Sequence, residues 1–402
     1  MRKTIITSLN DRRITAEEDN GRITSLFLED LEACSLIGRI YVGRVKHIIK
    51  NIRSAFVDIG EDMVCYYPLE EWERYPSVGM AGRPLHEGDE ILVQVEKDAV
   101  KTKAPSVTTK LTFTGQYLVL MTGKTGISFS AKIKDRERKE ALKALLCPSG
   151  GENTGFGMIV RTNGENASEQ ALLLEKERLE AQMNVILSTW TSRTGGSLLH
   201  EPEPAFLSEI FNNRLSSLDE VVTDDPQVYD IVRKKAESIR MADENSRLPF
   251  LRYYEDAYPL TKLYSLETVL ERARKERVWL KSGGYLVIQP TEALVSIDVN
   301  TGKFDGKKSL EETFFKINLE AAEEIAVQLR LRNLSGIIIV DFIDMTKKEH
   351  KEALLKAFEE ALRKDPVKTV LLGLTRLNLA ELTRKKVRKP LHEIWPGASG
   401  EK

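Results

Sequence analysis

Glu292-Ala-Leu-Val-Ser-Ile-Asp298-Val-Asn300-Thr-Gly302 is a short β-branched run that ends in a carboxylate. Gly336-Ile-Ile-Ile-Val-Asp341-Phe-Ile-Asp344-Met345 repeats the pattern. Runs of this kind read as buried strands whose C-terminal tips reach a site. Between them, Leu310, Phe314, Ile317, Ala321, Ile325 and Leu329 recur every three or four residues, with Glu and Lys on the other face. That period predicts an amphipathic helix. Strand, helix, strand is a crossover unit that brings both tips to one sheet edge. Asp298 and Asn300 are two apart, so they share a face of their strand. Asp298, Asn300 and Asp341 therefore converge in this reading. Two carboxylates and an amide oxygen are hard donors, suited to Mg2+ or Mn2+ and unsuited to zinc. Asp at a strand end also caps turns, so these residues alone leave a metal site and a capped turn both open.

Composition sets the frame. A chain of 402 residues holds two to four domains with substantial cores. Its charged residues, 30% of the total, nearly balance at a net charge of −1. Nucleic-acid binding would thus rest on local patches and not on overall charge. Met1-Arg-Lys-Thr runs into Asp11-Arg-Arg13 without an apolar stretch of signal length. No run approaches the roughly 20 apolar residues of a membrane span. Cys34, Cys65 and Cys147 are far apart and no CxxC occurs. Free thiols in a reducing cytoplasm are expected.

Ser282-Gly-Gly-Tyr-Leu-Val-Ile, Pro290-Thr-Glu-Ala-Leu, Asn318-Leu-Glu-Ala-Ala, Gln328-Leu-Arg-Leu-Arg332 and Asp341-Phe-Ile-Asp-Met345 closely resemble the catalytic core of the ribonuclease E/G family of bacterial endoribonucleases. The match is collinear from about Lys281 to Lys386, and weaker similarity reaches nearly to the N-terminus. The resemblance implies a Mg2+-dependent cut in single-stranded RNA, leaving 5′-phosphate and 3′-hydroxyl ends. Asp298 and Asp341 match the family's metal-binding aspartates, and Asn300 matches the asparagine that supports them. Asp344 lies out of phase with Asp341 on the strand and is given a structural role. The implied fold is α+β and multidomain. An RNase H-like scaffold takes residues 1–35 and 206–276, and an inserted S1 domain of OB-fold type takes 36–115. A 5′-sensor subdomain takes 116–205, and a DNase I-like catalytic subdomain takes 277–402.

Local patterns fill this outline. Thr4-Ile-Ile-Thr, Arg12-Arg-Ile-Thr-Ala and Ile23-Thr-Ser-Leu-Phe-Leu read as strands, with a hairpin turn at Asn20-Gly21. Gly38 to Lys46, Ser54 to Gly60 and Gly88 to Lys97 read as barrel strands. The family's stacking aromatics fall on Phe56 and Tyr66, and its basic positions on Lys97 and Lys103. Arg39, Arg44, Lys46, Lys50 and Arg53 add local positive charge. Such barrels stack bases on exposed aromatics beside phosphate-binding cations. Arg136 to Leu146 and Ala167 towards Trp190 read as helices. Ile159-Val-Arg161-Thr162 matches the family's clasp for a 5′-monophosphate. A guanidinium fork and a hydroxyl suit that group. Val119 takes the place of the apolar residue against the terminal nucleotide. Ala131 and Lys132 stand where the family usually carries Arg. Helices are predicted over Pro226–Met241 and Leu266–Leu280, the latter stopping at Ser282-Gly-Gly284. Lys368-Thr-Val-Leu-Leu-Gly-Leu to Lys386 reads as a strand leading into a helix with a basic end. Lys368 replaces a family arginine near the RNA.

Well-known family members continue with a Cys-Pro-x-Cys segment that shares zinc between subunits. This sequence has no cysteine after Cys147, so neither zinc nor a zinc-linked oligomer is expected. No protein partner is legible. None of His47, His86, His200, His350 and His392 falls in the core motif, which argues against a histidine acid/base ribonuclease. Two rival readings remain: an inactive RNA-binding protein of the same fold, and a metal nuclease acting on DNA.

Overall fold

Asn20 and Gly21, at φ of 50° and 82°, turn the chain between strands Arg12–Asp19 and Arg22–Asp30, as the hairpin signal requires. The computed structural model describes residues 1–31, 35–80, 82–99, 103–147, 155–212, 218–242, 244, 247–302 and 310–395. Cys34 and the closing stretch from residue 396 lie outside these. The chain divides into two units, residues 1–33, 217–232 and 249–402, and residues 34–216 and 233–248.

The first unit contains two sheets. One has the order Phe250–Tyr253, Glu220–Thr223, Arg2–Leu9, Arg12–Asp19, Arg22–Asp30. Its first three strands run parallel and its last three form an antiparallel meander. Ile5, Ile14, Leu26 and Val222 pack against Leu260, Leu266 and Leu270 of two short helices. The other sheet has six strands: Arg277–Trp279, Tyr285–Pro290, Val295–Asn300, Gly336–Asp341, Ala380–Arg384 and Thr369–Leu374. Only Val295–Asn300 and Gly336–Asp341 pair as parallel neighbours, and the helix Leu310–Leu331 connects them. This helix and Lys348–Leu362 cover one face of the sheet. Leu286, Ile288, Ile297, Val299, Ile338 and Val340 meet Ile317, Ala321, Ile325, Leu329 and Phe358 there. Fully burying such a side chain contributes about 1.5–3 kcal/mol relative to exposure. The opposite face carries the alternating residues, Asp298 and Asp341 among them.

Three expectations need correction. Leu310 is 72% exposed and stands outside the helix's apolar stripe. The helix predicted over Leu266–Leu280 ends at Arg274, and Arg277–Trp279 is an edge strand. Val278 packs inward against the sheet core, and Ser282–Gly284 is a hairpin turn and not a helix stop. The segment from Lys368 to Lys386 is a hairpin and not a strand leading into a helix. Asn378, at φ 64°, turns the chain. Ala380, Leu382 and Arg384 then point inward with a period of two. Arg384 is buried because Asp365 receives its guanidinium, Nε to Oδ2 at 2.7 Å, with side chains 3% and 1% exposed.

In the second unit, Ile40–Ile49, Ser54–Asp58, Val64–Pro68, Ser106–Thr108 and Glu90–Lys97 pair in that order and close back on Ile40–Ile49. This five-stranded closure is OB-like. Thr112–Thr114, Leu118–Met121, Gly157–Val160 and Gly126–Phe129 form a separate sheet. It packs against helices Arg136–Leu146 and Glu169–Thr189, N-capped by Asp135 and Ser168. Cys65 and Cys147 are buried free thiols. Among the described residues no helix is long and apolar enough to cross a membrane.

Candidate active site

Parallel pairing puts Asp298 directly opposite Asp341, the last residue of its strand. Neighbouring strands lie about 4.8 Å apart, so both carboxylates leave the sheet side by side, and both are solvent-exposed. Asn300 donates its Nδ2 proton to Asp298 Oδ2 at 2.7 Å. The three residues converge, as their spacing predicts. Loss of hydration at the strand tip, then the charges of Asp298 and Asp344, push the Asp341 carboxyl above its usual range. The strand stops at Asp341, so alternation no longer fixes the direction of Asp344. Its carboxylate is exposed and adds to the negative field.

A divalent cation fits this donor set. It would offset the charge that Asp298 and Asp344 place on Asp341, and both carboxylates offer oxygen donors, while the Asn300 amide nitrogen is turned to Asp298 as a hydrogen-bond donor. Among the described residues no three His, Cys, Asp or Glu side chains are grouped to hold an ion. An ion here would rest on two carboxylates and water, the manner in which Mg2+ is usually held.

Three side chains brace the loops around this pair, and sequence reasoning assigned none of them a role. Asn318, fully buried, donates to Ile343 O at 2.8 Å and accepts from Ile343 N at 3.0 Å. Its amide acts as a short piece of strand and fixes the backbone between Asp341 and Asp344. The available signal was a polar residue on the apolar face of a helix. Glu311 accepts from Thr346 N, Thr346 Oγ1 and Lys347 N at 3.0–3.1 Å for the amides and 2.8 Å for the hydroxyl. His350 Nδ1 lies 3.4 Å from the same carboxylate, and its ring stacks on Phe315. Glu320 accepts from Lys281 N and Ser282 N. The Ser282–Gly284 turn then lies beside Asn300. A Cβ on Gly284 would sit 2.8 Å from Asn300 O, and one on Gly302 would strike the Gly283 carbonyl.

Lys368 is not part of this constellation. It is exposed just before the far edge strand, in a row beyond Gly336. Five residues at about 3.3 Å each separate Gly336 from Asp341 along the strand. The sheet therefore carries Lys368 to the end opposite the carboxylates.

In the barrel, register places His47, Phe56, Tyr66, Ser106 and Lys97 opposite one another across five strands. Two bulges, at Val45/His47 and Val95/Lys97, bring the outer members into line. Phe56 is half-buried and Tyr66 is 36% exposed, with ring centroids 6.4 Å apart. Ala55 and Val57 take the core side, so Phe56 belongs to the outer face. Three of the five nearby cations are already paired: Arg39 with Glu201, Lys46 with Asp58 and Arg53 with Glu73. Lys97 is exposed at the end of the row. Lys103 is exposed ahead of Ser106, outside the row.

The residues that the resemblance implies for a 5′-end sensor lie on or just after neighbouring strands. Arg161 is half-buried and donates Nη1 to Gly115 O at 2.6 Å. Burial lowers its pKa from the ordinary arginine value, against the pull of Glu175. Thr162 Oγ1 is 3.0 Å from Ser130 Oγ, a partner the sequence reading passed over. Val119 is half-buried on the strand beside Ile159. Glu175 accepts from the amides of Gln116, Tyr117 and Leu118 and so shapes the backbone between Gly115 and Val119. Ala131 and Lys132 are exposed next to Ser130.

The model of the Ribonuclease E/G family matches residues 112–387. Ribonuclease G of Haemophilus influenzae is 34% identical over 96% of this chain and 79% of its own length. Ribonuclease G of Escherichia coli K12 is 32% identical over 94% of this chain and 78% of its own length. Ribonuclease E of the same strain is 33% identical over the whole of this chain, which spans 38% of that protein.

The Glu311 contacts carry a testable pH signature. Hydrogen bonds from Lys347 N, Thr346 N and the Thr346 hydroxyl hold its carboxyl at about 2, below the ordinary 4.5. Their stabilisation is complete above 4.5 and is lost as pH falls towards 2. The Tm difference between the protein and Glu311→Gln should be widest near neutrality and close in acid. A difference that stays constant with pH contradicts this assignment.

Proposed function

The chain belongs to the ribonuclease E/G family, and from that membership we propose that it is an endoribonuclease of RNA processing. In this reading it hydrolyses single-stranded RNA to 5′-phosphate and 3′-hydroxyl ends. The observation that carries the reading is the in-register pair Asp298 and Asp341, with Asn300 bonded to Asp298, on an open sheet face. Asp298 and Asp341 are the residues that would hold Mg2+, and Mn2+ suits the same oxygens. When bound, such an ion polarises a phosphate and supplies a nucleophilic water at neutral pH. Asn300 fixes the rotamer of Asp298. Asn318 and Glu311 fix the loop that follows Asp341, so the carboxylates stand preorganised before substrate arrives.

The barrel row supplies the substrate grip. Phe56 and Tyr66 offer π faces to unpaired bases, and Lys97, with Lys103 nearby, offers charge to phosphates. Arg161, Thr162 and Val119 are proposed as the receptor for a 5′-monophosphate, with Ser130 beside Thr162 as a further hydroxyl. Arg161 already donates to the Gly115 carbonyl, a contact that helps to hold its geometry. The sheet register argues against a role for Lys368 at the carboxylates of the same chain.

Labelled RNA and DNA oligonucleotides, incubated with Mg2+ and with chelator, test the activity. RNA alone should be cut, and only with the ion. Asp298→Asn and Asp341→Asn should each fold and lose cleavage by orders of magnitude. Folded variants that turn over normally, or a chelator-resistant cut, sink the assignment.

The barrel surface has its own readout. Phe56→Ala and Tyr66→Ala should each weaken RNA binding by about 1–3 kcal/mol in polarisation titrations. Normal binding by both variants rules out the row as the grip.

A further inference from the structure

The edge strand Arg277–Trp279 presents a tryptophan that is 64% exposed. The Trp279 and Tyr285 rings lie 5.3 Å apart at 57°. The Arg277 guanidinium lies 4.6 Å from the Tyr285 ring centre and 5.8 Å from that of Trp279. Among the described residues Arg277 has no ion-pair partner. Its neighbour Val278 points to the core, so the cluster faces out from the sheet.

Register ties this cluster to the carboxylates. Trp279 pairs with Tyr285, and Tyr285 pairs with Asn300. One row on, Arg277 pairs with Val287, Val287 with Asp298, and Asp298 with Asp341. Directly paired residues project from the same face of a sheet. Arg277, Trp279, Tyr285, Asp298, Asn300 and Asp341 therefore share one face. The intervening Leu286, Ile297 and Val299 fill the core behind it. At about 4.8 Å per strand, Trp279 stands roughly 10 Å from Asn300 across the sheet.

We propose that Arg277, Trp279 and Tyr285 form a base-stacking platform for the unpaired RNA nucleotides that flank the scissile phosphate. The inference rests on reading Asp298 and Asp341 as the cleavage centre. The chemistry favours nucleic acid. Two tilted aromatic rings give a base a stacking surface, and the guanidinium stacks on the rings while its edge stays available to a phosphate. Stacking accepts any base, so the platform acts on accessibility and not on sequence. Only an unpaired strand can lay its bases on it. The platform selects single strands at the point of cutting, independently of the barrel.

The test uses the full chain and single-stranded RNA oligonucleotides in which one abasic position is moved through the nucleotides around the cut. For the intact protein, KM should rise about tenfold at one or two positions. Trp279→Ala should show a rise of similar size with every RNA and no further loss at those positions. Trp279→Phe should restore most of the abasic effect, because a ring is back in place. The same series is read by equilibrium binding without divalent metal. An abasic penalty that depends on Trp279 in binding, in a protein that cuts no RNA, upholds the platform and removes the cleavage reading. Cleavage whose abasic profile is identical in Trp279→Ala removes the platform and leaves the cleavage reading standing. Light scattering adds one outcome: a change of molecular mass in Trp279→Ala, with RNA binding unaltered, would make the face a protein contact and overturn the proposal.

Discussion

The parallel pairing of Val295–Asn300 with Gly336–Asp341 places two carboxylates in register on adjacent strands. Like charges at that separation repel, and this adds to the loss of hydration that holds the Asp341 carboxyl above its usual range. The sheet holds them there because register is not free to slip. A one-residue shift would turn Ile297, Val299, Ile338 and Val340 away from the helices that bury them. Hydrophobic burial behind the sheet therefore fixes the electrostatic strain in front of it. Functional sites commonly carry such a conflict, relieved only when the ligand arrives.

The bracing side chains extend the same logic to the loops. Asn318 reaches from the core face of a helix to the backbone after Asp341, and Glu311 reaches from its first turn to Thr346 and Lys347. One helix thus packs the sheet, carries the crossover and sets the loop geometry. On the other face of the sheet, Asp298 and Asp341 already stand at the surface.

Much of this was legible in the sequence because it depended on short periodicities. The alternation of Asp298 with Asn300, the β-branched runs and the helix between them are local patterns, and they held. Arg277–Trp279 was misread because the Glu- and Arg-rich residues before it have strong helical propensity. Three residues are also too few to display a period of two. Ala380, Leu382 and Arg384 do alternate, but Arg384 enters the core because Asp365, Asn333 and the Leu334 carbonyl, distant in sequence, receive its guanidinium. The barrel row was legible only in part. Phe56, Tyr66 and Lys97 followed from family position, whereas His47 did not, and the two bulges that bring His47 and Lys97 into line show in no sequence period. The end of the sheet at which Lys368 stands is likewise set by strand pairing, which no local pattern carries.

Crystals grown or soaked with Mn2+, with diffraction collected at a wavelength where manganese scatters anomalously, test the central claim most directly. One anomalous peak is expected within coordination distance of both the Asp298 and Asp341 carboxylates, absent from crystals of Asp341→Asn. No peak between the two carboxylates, or a single peak held by other residues while this pair stays without metal, would contradict it.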